Sequence, residues 1–241
     1  MRSTNRPDRD GFCRQTWSGR YLHWPDLPRP RASKFGMDET MKLSARVARW
    51  FARTSALIGM LLMATVAAAQ NAPPKVTFQT SLGNFVVEMD PQRAPKTVEN
   101  FLRYVREGFY SGIVVHRIVP GLIVQAGGYD AQGNRRDVHD PIALETASSA
   151  SNIRGTIAMA RTNVPDSASS QFFINLDDNL QFDRAPNDPG NLSGYAVFGR
   201  VIDGMAVVDA IAMVQLGGGV GPIPEASPRT PVVIQRVTVG N

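Results

Sequence analysis

From Val76 onward the chain alternates apolar and polar positions with a period of two, then of three to four, then of two again. In "VTFQTSLGNFVVEMD", Val76, Phe78 and Thr80 fall on one face of a strand. Phe85, Val87 and Met89 do the same after Ser81-Leu82-Gly83-Asn84, which is the pattern of a β-hairpin. "PQRAPKTVENFLRYVREG" places Val98, Phe101, Leu102 and Val105 at i, i+3, i+4 and i+7, one stripe of a helix that begins near Pro95 and ends at Gly108. "GTIAMAR", "QFFINL", "YAVFGRV" and "PVVIQRVTVG" are short β-rich runs, and "DGMAVVDAIAM", Asp203 to Met213, reads as a second helix with Asp203 as its N-cap. Loops occupy 131–154 and 177–194, and Gly217-Gly218-Gly219 with 222–231 forms a further loop. Many short strands and two helices, with no repeat and no linker, predict one β-barrel with helices over its ends.

One strand pair breaks the apolar pattern. "VVHRIVPGLIVQAGG", Val114 to Gly128, carries His116, Arg117 and Gln125 among aliphatic residues. An ionised Arg cannot be left in an apolar core without a partner. Arg117 therefore points to water or lines a groove that uses its charge. Register decides its neighbour. A three-residue loop, Pro120-Gly121-Leu122, sets Arg117 opposite Gln125, with Ile123 on the same face. A two-residue Pro-Gly turn sets it opposite Val124. Spacing alone leaves both open. In "SSQFFIN", Ser169 to Asn175, Phe172 and Ile174 face one way and Gln171, Phe173 and Asn175 the other. If the first pair fills the barrel, Phe173 is an aromatic on its outside beside Gln and Arg, an apolar pocket with polar edges.

Charge changes the picture once the chain is divided. Residues 1–69 hold 12 Lys/Arg against 5 Asp/Glu, and residues 70–241 hold 14 against 16, so the formal +5 belongs wholly to the leader. The folded part has no basic excess and no nucleic-acid signature. In residues 41–69, Lys42, Arg46, Arg49 and Arg53 precede an uncharged run that ends in Ala67-Ala68-Ala69. That is a secretory signal peptide. Its 16 uncharged residues fall short of the ~20 a membrane span needs. Residues 1–40, rich in Arg and Pro, stand oddly in front of such a signal. They are read as a disordered extension or as lying upstream of a true start at Met41 or Met37. The only cysteine, Cys13, falls there, so residues 70–241 carry no disulfide and no Cys nucleophile.

Several chemistries lack residues. After residue 69 only His116 and His139 remain, without metal-ligand spacing, so no metal site is expected. There is no G-x-S-x-G elbow and no phosphate-binding Gly-rich loop with Lys and Ser or Thr. Acidic residues are scattered over loops, and none stands out as one of a glycosidase pair. What remains is a groove made of one cation, amides and apolar side chains.

Four stretches, "HRIVPGLIVQAGG", "GTIAMAR", "SSQFFINL" and "YAVFGRVIDGM", in this order and spacing, carry a resemblance. Residues 70–241 resemble the cyclophilins, the β-barrel family of peptidyl-prolyl cis-trans isomerases, over nearly their whole length. The resemblance implies a mainly β fold, a closed antiparallel eight-stranded barrel capped by two α-helices. The bacterial exported branch is similar in having Arg and Tyr, here Arg161 and Tyr195, where other members have Asn and His. By the same likeness Arg117 is the catalytic cation, and Ile123, Phe173 and Phe182 wall a proline pocket. Leu122, Gln125, Ala160, Arg161, Gln171 and Tyr195 surround the peptide. The likeness also favours the three-residue loop, which turns His116 into the barrel as a buried, hydrogen-bonded side chain. Leu122 and Val115 stand where the family usually has Phe. Gln181 stands where many members have Trp, so strong cyclosporin inhibition is not expected.

The implied protein is a periplasmic isomerase assisting the folding of exported proteins. Proline-containing polypeptides are its partners; it needs no cofactor, nucleic acid or membrane once the leader is removed, and it is read as a monomer. Two rivals stay in view. One is a proline-segment-binding chaperone with the same groove and little turnover. The other is a lipocalin-type barrel, which would need the roomy lumen that Phe172, Ile174 and Phe198 argue against.

Overall fold

A computed structural model describes residues 72–190 and 192–240. The extension 1–40, the signal peptide 41–69 and Cys13 lie outside the described residues. The alternating runs form strands, one of them divided in two: β1 (Lys75–Thr80), β2 (Gly83–Met89), β3 (Ile113–Val114), β4 (Arg117–Val119), β5 (Ile123–Ala126), β6 (Thr156–Met159), β7 (Phe172–Asn175), β8 (Val197–Asp203) and β9 (Val233–Gly240). They make one antiparallel sheet in the order β3-β9-β1-β2-β8-β6-β7-β5-β4.

This sheet departs from the closed eight-stranded barrel in two linked respects. It has nine strands and stays an open, curled half-barrel. The cause is local. Val114 to Val119 reads as one strand but is two, β3 and β4, at opposite ends of the strand order. Between them the N–H of Val115 donates to Val232 (2.9 Å) and that of His116 to Gln125 (3.2 Å), each on a different side. The two edges are thus joined by the chain itself, with no ladder between them.

The concave face is filled by side chains from alternate positions, as period-two strands require. In register, Val76 opposes Val87 and Phe78 opposes Phe85. All four are buried, with the Phe78 and Phe85 rings stacked at 4.6 Å. Helix α1 (Pro95–Arg106) lays Val98, Phe101, Leu102 and Val105 onto this face. Phe101 sits at its centre, 5.1 Å from Phe198, 5.1 Å from Tyr110 and 5.8 Å from Phe172 between ring centroids. Glu145 satisfies the first turn of α1, accepting from the N–H of Lys96 (3.2 Å) and of Thr97 (2.8 Å). The interior a lipocalin would keep open is occupied by rings.

The second helix, α2 (Met205–Ala212), starts later than the pattern suggested. Asp203 is not its cap. It remains the last residue of β8, opposite Val86, and Gly204 takes the N-cap position with φ 76° and no side-chain bond. A Cβ at Gly204 would lie 2.5 Å from the carbonyl oxygen of Asn84, so close approach as well as the turn requires glycine there. Val208 and Ile211 bury the inner side of α2.

Phe101→Ala would leave a void ringed by four aromatics. We expect it to lower unfolding free energy by about 3–5 kcal/mol, read as a lower urea midpoint with an unchanged slope.

Candidate active site

The opposite face of the same strands builds a groove. β4 pairs with β5 as Arg117↔Gln125, Ile118↔Val124 and Val119↔Ile123, so the connection is the three-residue Pro120-Gly121-Leu122. Gly121 has φ 73°, and the N–H of Leu122 closes the turn on the carbonyl of Val119 at 2.9 Å. Gln125 opposes Phe173 on β7, and Phe173 opposes Ala158 on β6. One row therefore crosses four strands on the outer face: Arg117, Gln125, Phe173, Ala158. Their neighbours Ile118, Val124, Ile174 and Ile157 point the other way, into the core.

Hydrogen bonds fix this row's polar part in one direction. A guanidinium N–H of Arg117 (Nη1) donates to Oε1 of Gln125 at 3.1 Å, and Nε2 of Gln125 donates to Oε1 of Gln171 at 3.0 Å. Arg has only donors, so it dictates which way the Gln125 amide is turned, and that in turn sets Gln171. Gly128 makes room for the last member, since a Cβ there would lie 2.7 Å from Nε2 of Gln171. Arg117 is half-buried, and among the described residues no carboxylate lies within 4 Å of its guanidinium.

The apolar part is a second cluster, separate from the core: Ile123, Ala158, Phe173 and Val197, flanked by Leu122, Ala160, Phe182 and Tyr195. Phe173 lies on the outside as expected but is only 3% exposed. Phe182 and Tyr195 cover it edge-on, at 5.7 and 5.4 Å, and meet each other at 5.3 Å. Arg161 lies over Tyr195 (5.2 Å) while donating to the carbonyls of Gly194 and Thr162, both at 2.9 Å. Every residue expected at the site lines one groove of about 480 Å³. Gln181 is exposed and does not line it, and Val115 belongs to the core.

Sequence reasoning missed three amides that hold the groove's rim and one loop that walls it. Asn179 donates to the carbonyl of Leu122 (2.9 Å) and to Asn175 Oδ1 (2.8 Å). Asn175 donates to Thr156 (2.9 Å), and Asn152 donates to the carbonyls of Phe182 (3.1 Å) and Tyr195 (3.2 Å). All three asparagines are buried, and Asn152 lies 23 residues before Asn175, so only their polarity inside or beside apolar runs could have marked them. Pro222 and Ile223 line the groove from the loop before β9, where no periodicity pointed to them.

His116 is buried as expected, with its ring edge-on to Tyr129 at 4.9 Å under the groove. The hydrogen-bonded state expected for it is incomplete, because Nδ1 has no partner among the described residues. Burial lowers its pKa to about 4; Gln171 and the backbone of Val114 push the other way, and the Arg117 charge adds to the lowering.

Comparison with known proteins gives the family and the fold. The family model for "Cyclophilin type peptidyl-prolyl cis-trans isomerase/CLD" matches residues 75–239. The chain is 44% identical to peptidyl-prolyl cis-trans isomerase A of Dickeya dadantii over 164 residues, 68% of this chain and 83% of that protein. It is 42% identical to peptidyl-prolyl cis-trans isomerase B of Escherichia coli over 164 residues, 68% of this chain and 98% of that one. In fold it is similar to a cyclophilin-type isomerase of Cryptosporidium parvum, with a TM-score of 0.56 at 21% identity, covering 70% of this chain and 98% of that chain.

Because the folded pKa of His116 lies below its unfolded value of 6.5, the unfolded chain takes up a proton between about pH 6.5 and 4 that the fold refuses. This contribution to stability is complete above pH 6.5 and is lost as pH falls towards 4. Denaturant titrations should show a loss of about 2 kcal/mol between pH 7 and pH 5 that His116→Gln removes; an unchanged loss in that variant would assign it to other groups.

Proposed function

We propose how this chain, which belongs to the cyclophilin-type peptidyl-prolyl cis-trans isomerase family and is an enzyme of that type, accelerates its reaction. A prolyl peptide bond isomerises in tens to hundreds of seconds because rotation breaks amide resonance, a barrier of roughly 18–20 kcal/mol. In the twisted transition state the nitrogen becomes pyramidal and regains a lone pair able to accept a hydrogen bond. A guanidinium aimed at that nitrogen is engaged mainly when planarity is lost. It therefore favours the transition state over the planar substrate.

Arg117 takes this role. One observation carries the reading: its guanidinium is held by Gln125 through a single N–H and lies beside the slot made by Ile123 and Phe173. The remaining N–H groups have no partner among the described residues. The proline ring occupies the slot, with Phe182 as its far wall. Gln125, Ala160, Arg161, Gln171, Leu122 and Tyr195 hold the flanking backbone, and Gln125 also braces Arg117. Arg suits the task because it stays charged and presents rigid donors. No proton transfer, nucleophile or metal enters the step. In place of the family's usual aromatic, Leu122 gives the slot a smaller, aliphatic edge.

The signal-peptide pattern of residues 41–69 supports export and release into the periplasm, where exported polypeptides carrying Xaa-Pro bonds are the substrates. Arg161 and Tyr195 support placement in the bacterial exported branch. The protein acts as a monomer in this reading.

Arg117→Ala should lower kcat/KM on a Xaa-Pro peptide by about a hundredfold or more with an unchanged thermal midpoint, and Arg117→Lys should recover only part of it. Near-wild-type turnover in Arg117→Ala would remove the guanidinium from the mechanism, and a wild-type rate no faster than buffer would leave the groove as a holding site. N-terminal sequencing of protein from the periplasmic fraction should begin at Gln70; a start upstream of Met41 would overturn the leader.

A further inference from the structure

The loop between α2 and β9 brings an apolar ledge to one end of the groove. Pro222 and Ile223 line the same cavity as Arg117 and Gln125, and Ile223 is 42% exposed. A lone exposed isoleucine is ordinary. This one differs in being inside a binding groove and rigidly mounted.

The mount is visible in the hydrogen bonds. Ser227, fully buried, donates its hydroxyl to the carbonyl of His116 at 2.6 Å and lies 3.0 Å from the carbonyl of Ile223. The N–H of Ala226 closes on the carbonyl of Ile223 (3.0 Å) and that of Gly218 on the carbonyl of Pro224 (3.1 Å). Gly221, with φ 129°, packs so tightly that a Cβ would lie 3.0 Å from the carbonyl oxygen of His116. The ledge is thereby fastened to the residue immediately before Arg117. Tyr129, edge-on to the His116 ring, lines the groove from the same neighbourhood. The Arg161 end has the opposite character. Beyond Ala160 it opens into a small cavity of about 130 Å³ lined by Arg135, Thr162, Ser167 and Ser169.

We propose that Ile223, with Pro222 and Tyr129, is a specificity-determining ledge that receives an apolar side chain of the substrate polypeptide. That side chain lies on the flank of the proline that leaves the groove past Arg117. The assignment rests on the isomerase reading above. A ledge whose backbone is already held in place loses little freedom when it is covered, so area buried on it goes largely into binding. The ledge lies away from the slot, so its contact is made alike in the planar and twisted states. It should act on KM more than on kcat.

The test is a set of short peptides with one proline in a Gly/Ala background and a single leucine moved through the positions on either side. Exchange between cis and trans is followed by NMR so that no protease preference enters. The wild type should favour leucine over glycine roughly fivefold in kcat/KM on one flank only. Ile223→Ser should bring that ratio close to one through KM, and Ser227→Ala, which loosens the mount, should lower it in part. Equal rates for leucine and glycine peptides in the wild type, or a ratio that survives Ile223→Ser, would overturn the ledge. Arg117→Ala separates the two ideas: it should depress every peptide by the same factor, and full turnover in that variant would overturn the mechanism whatever the ledge does.

Discussion

The whole site depends on register between β4 and β5. Arg117 can reach Gln125 only because three residues, not two, join these strands. A slip of one position would exchange the two faces of β4 and send the guanidinium towards the aromatic core. Several features guard against this. Ile118 and Val124 are buried on the inner face, Gly121 supplies the left-handed turn, and Asn179 holds the carbonyl of Leu122 from outside. The directed chain from Arg117 through Gln125 to Gln171 is the chemical consequence of that register. Each amide is oriented by its neighbour, and the only member without an acceptor role stands at the head.

One sheet thus serves two purposes through its alternation. Inward positions of β1, β2, β7 and β8, with α1, form a close-packed set of rings around Phe101. Outward positions of β4 to β7 form the groove with a smaller apolar cluster beneath it. The polar residues of the groove lie on the outer face, beside this second cluster and apart from the larger core. The buried asparagines occupy the seam between the groove and its rim loops. There a backbone that leaves the ladder still needs partners, and side-chain amides supply them.

Much of this was legible from residue order. Period-two runs located the strands, the Val98-Phe101-Leu102-Val105 stripe located α1, and alternation in "SSQFFIN" put Phe172 and Ile174 inside and Phe173 outside. What escaped depended on non-local geometry. Val114 to Val119 looks continuous, but its halves pair with strands far apart in the sheet, so neither nine strands nor the open edge could be counted from it. Asp203 has the chemistry of a cap, yet β8 retains it and steric contact with Asn84 puts glycine at the helix start. Phe173 looked exposed because the rings that cover it come from a loop and a later segment. The Gly-rich run before β9 carries no pattern at all, and its fit against His116 is set by hydrogen bonds that no spacing rule encodes.

Adjacent in sequence, His116 and Arg117 show how the site avoids a second positive charge directly beside the guanidinium. A protonated imidazole there would be an unscreened charge beside the guanidinium, competing for Gln171 and drawing the amide relay away from Arg117. Burial makes that state unfavourable, and the Arg117 charge adds to the effect, so the ring stays neutral down to about pH 4. Arg161, the other guanidinium lining the groove, is occupied by two carbonyls and the face of Tyr195. Of the two guanidinium groups, Arg117 is the less engaged, with one hydrogen bond against two among the described residues, as the proposed mechanism requires. In the proposed mechanism, a reaction that consists only of rotating a bond asks for little more: a fixed donor, an apolar hold on the ring, and neighbours that leave the donor free.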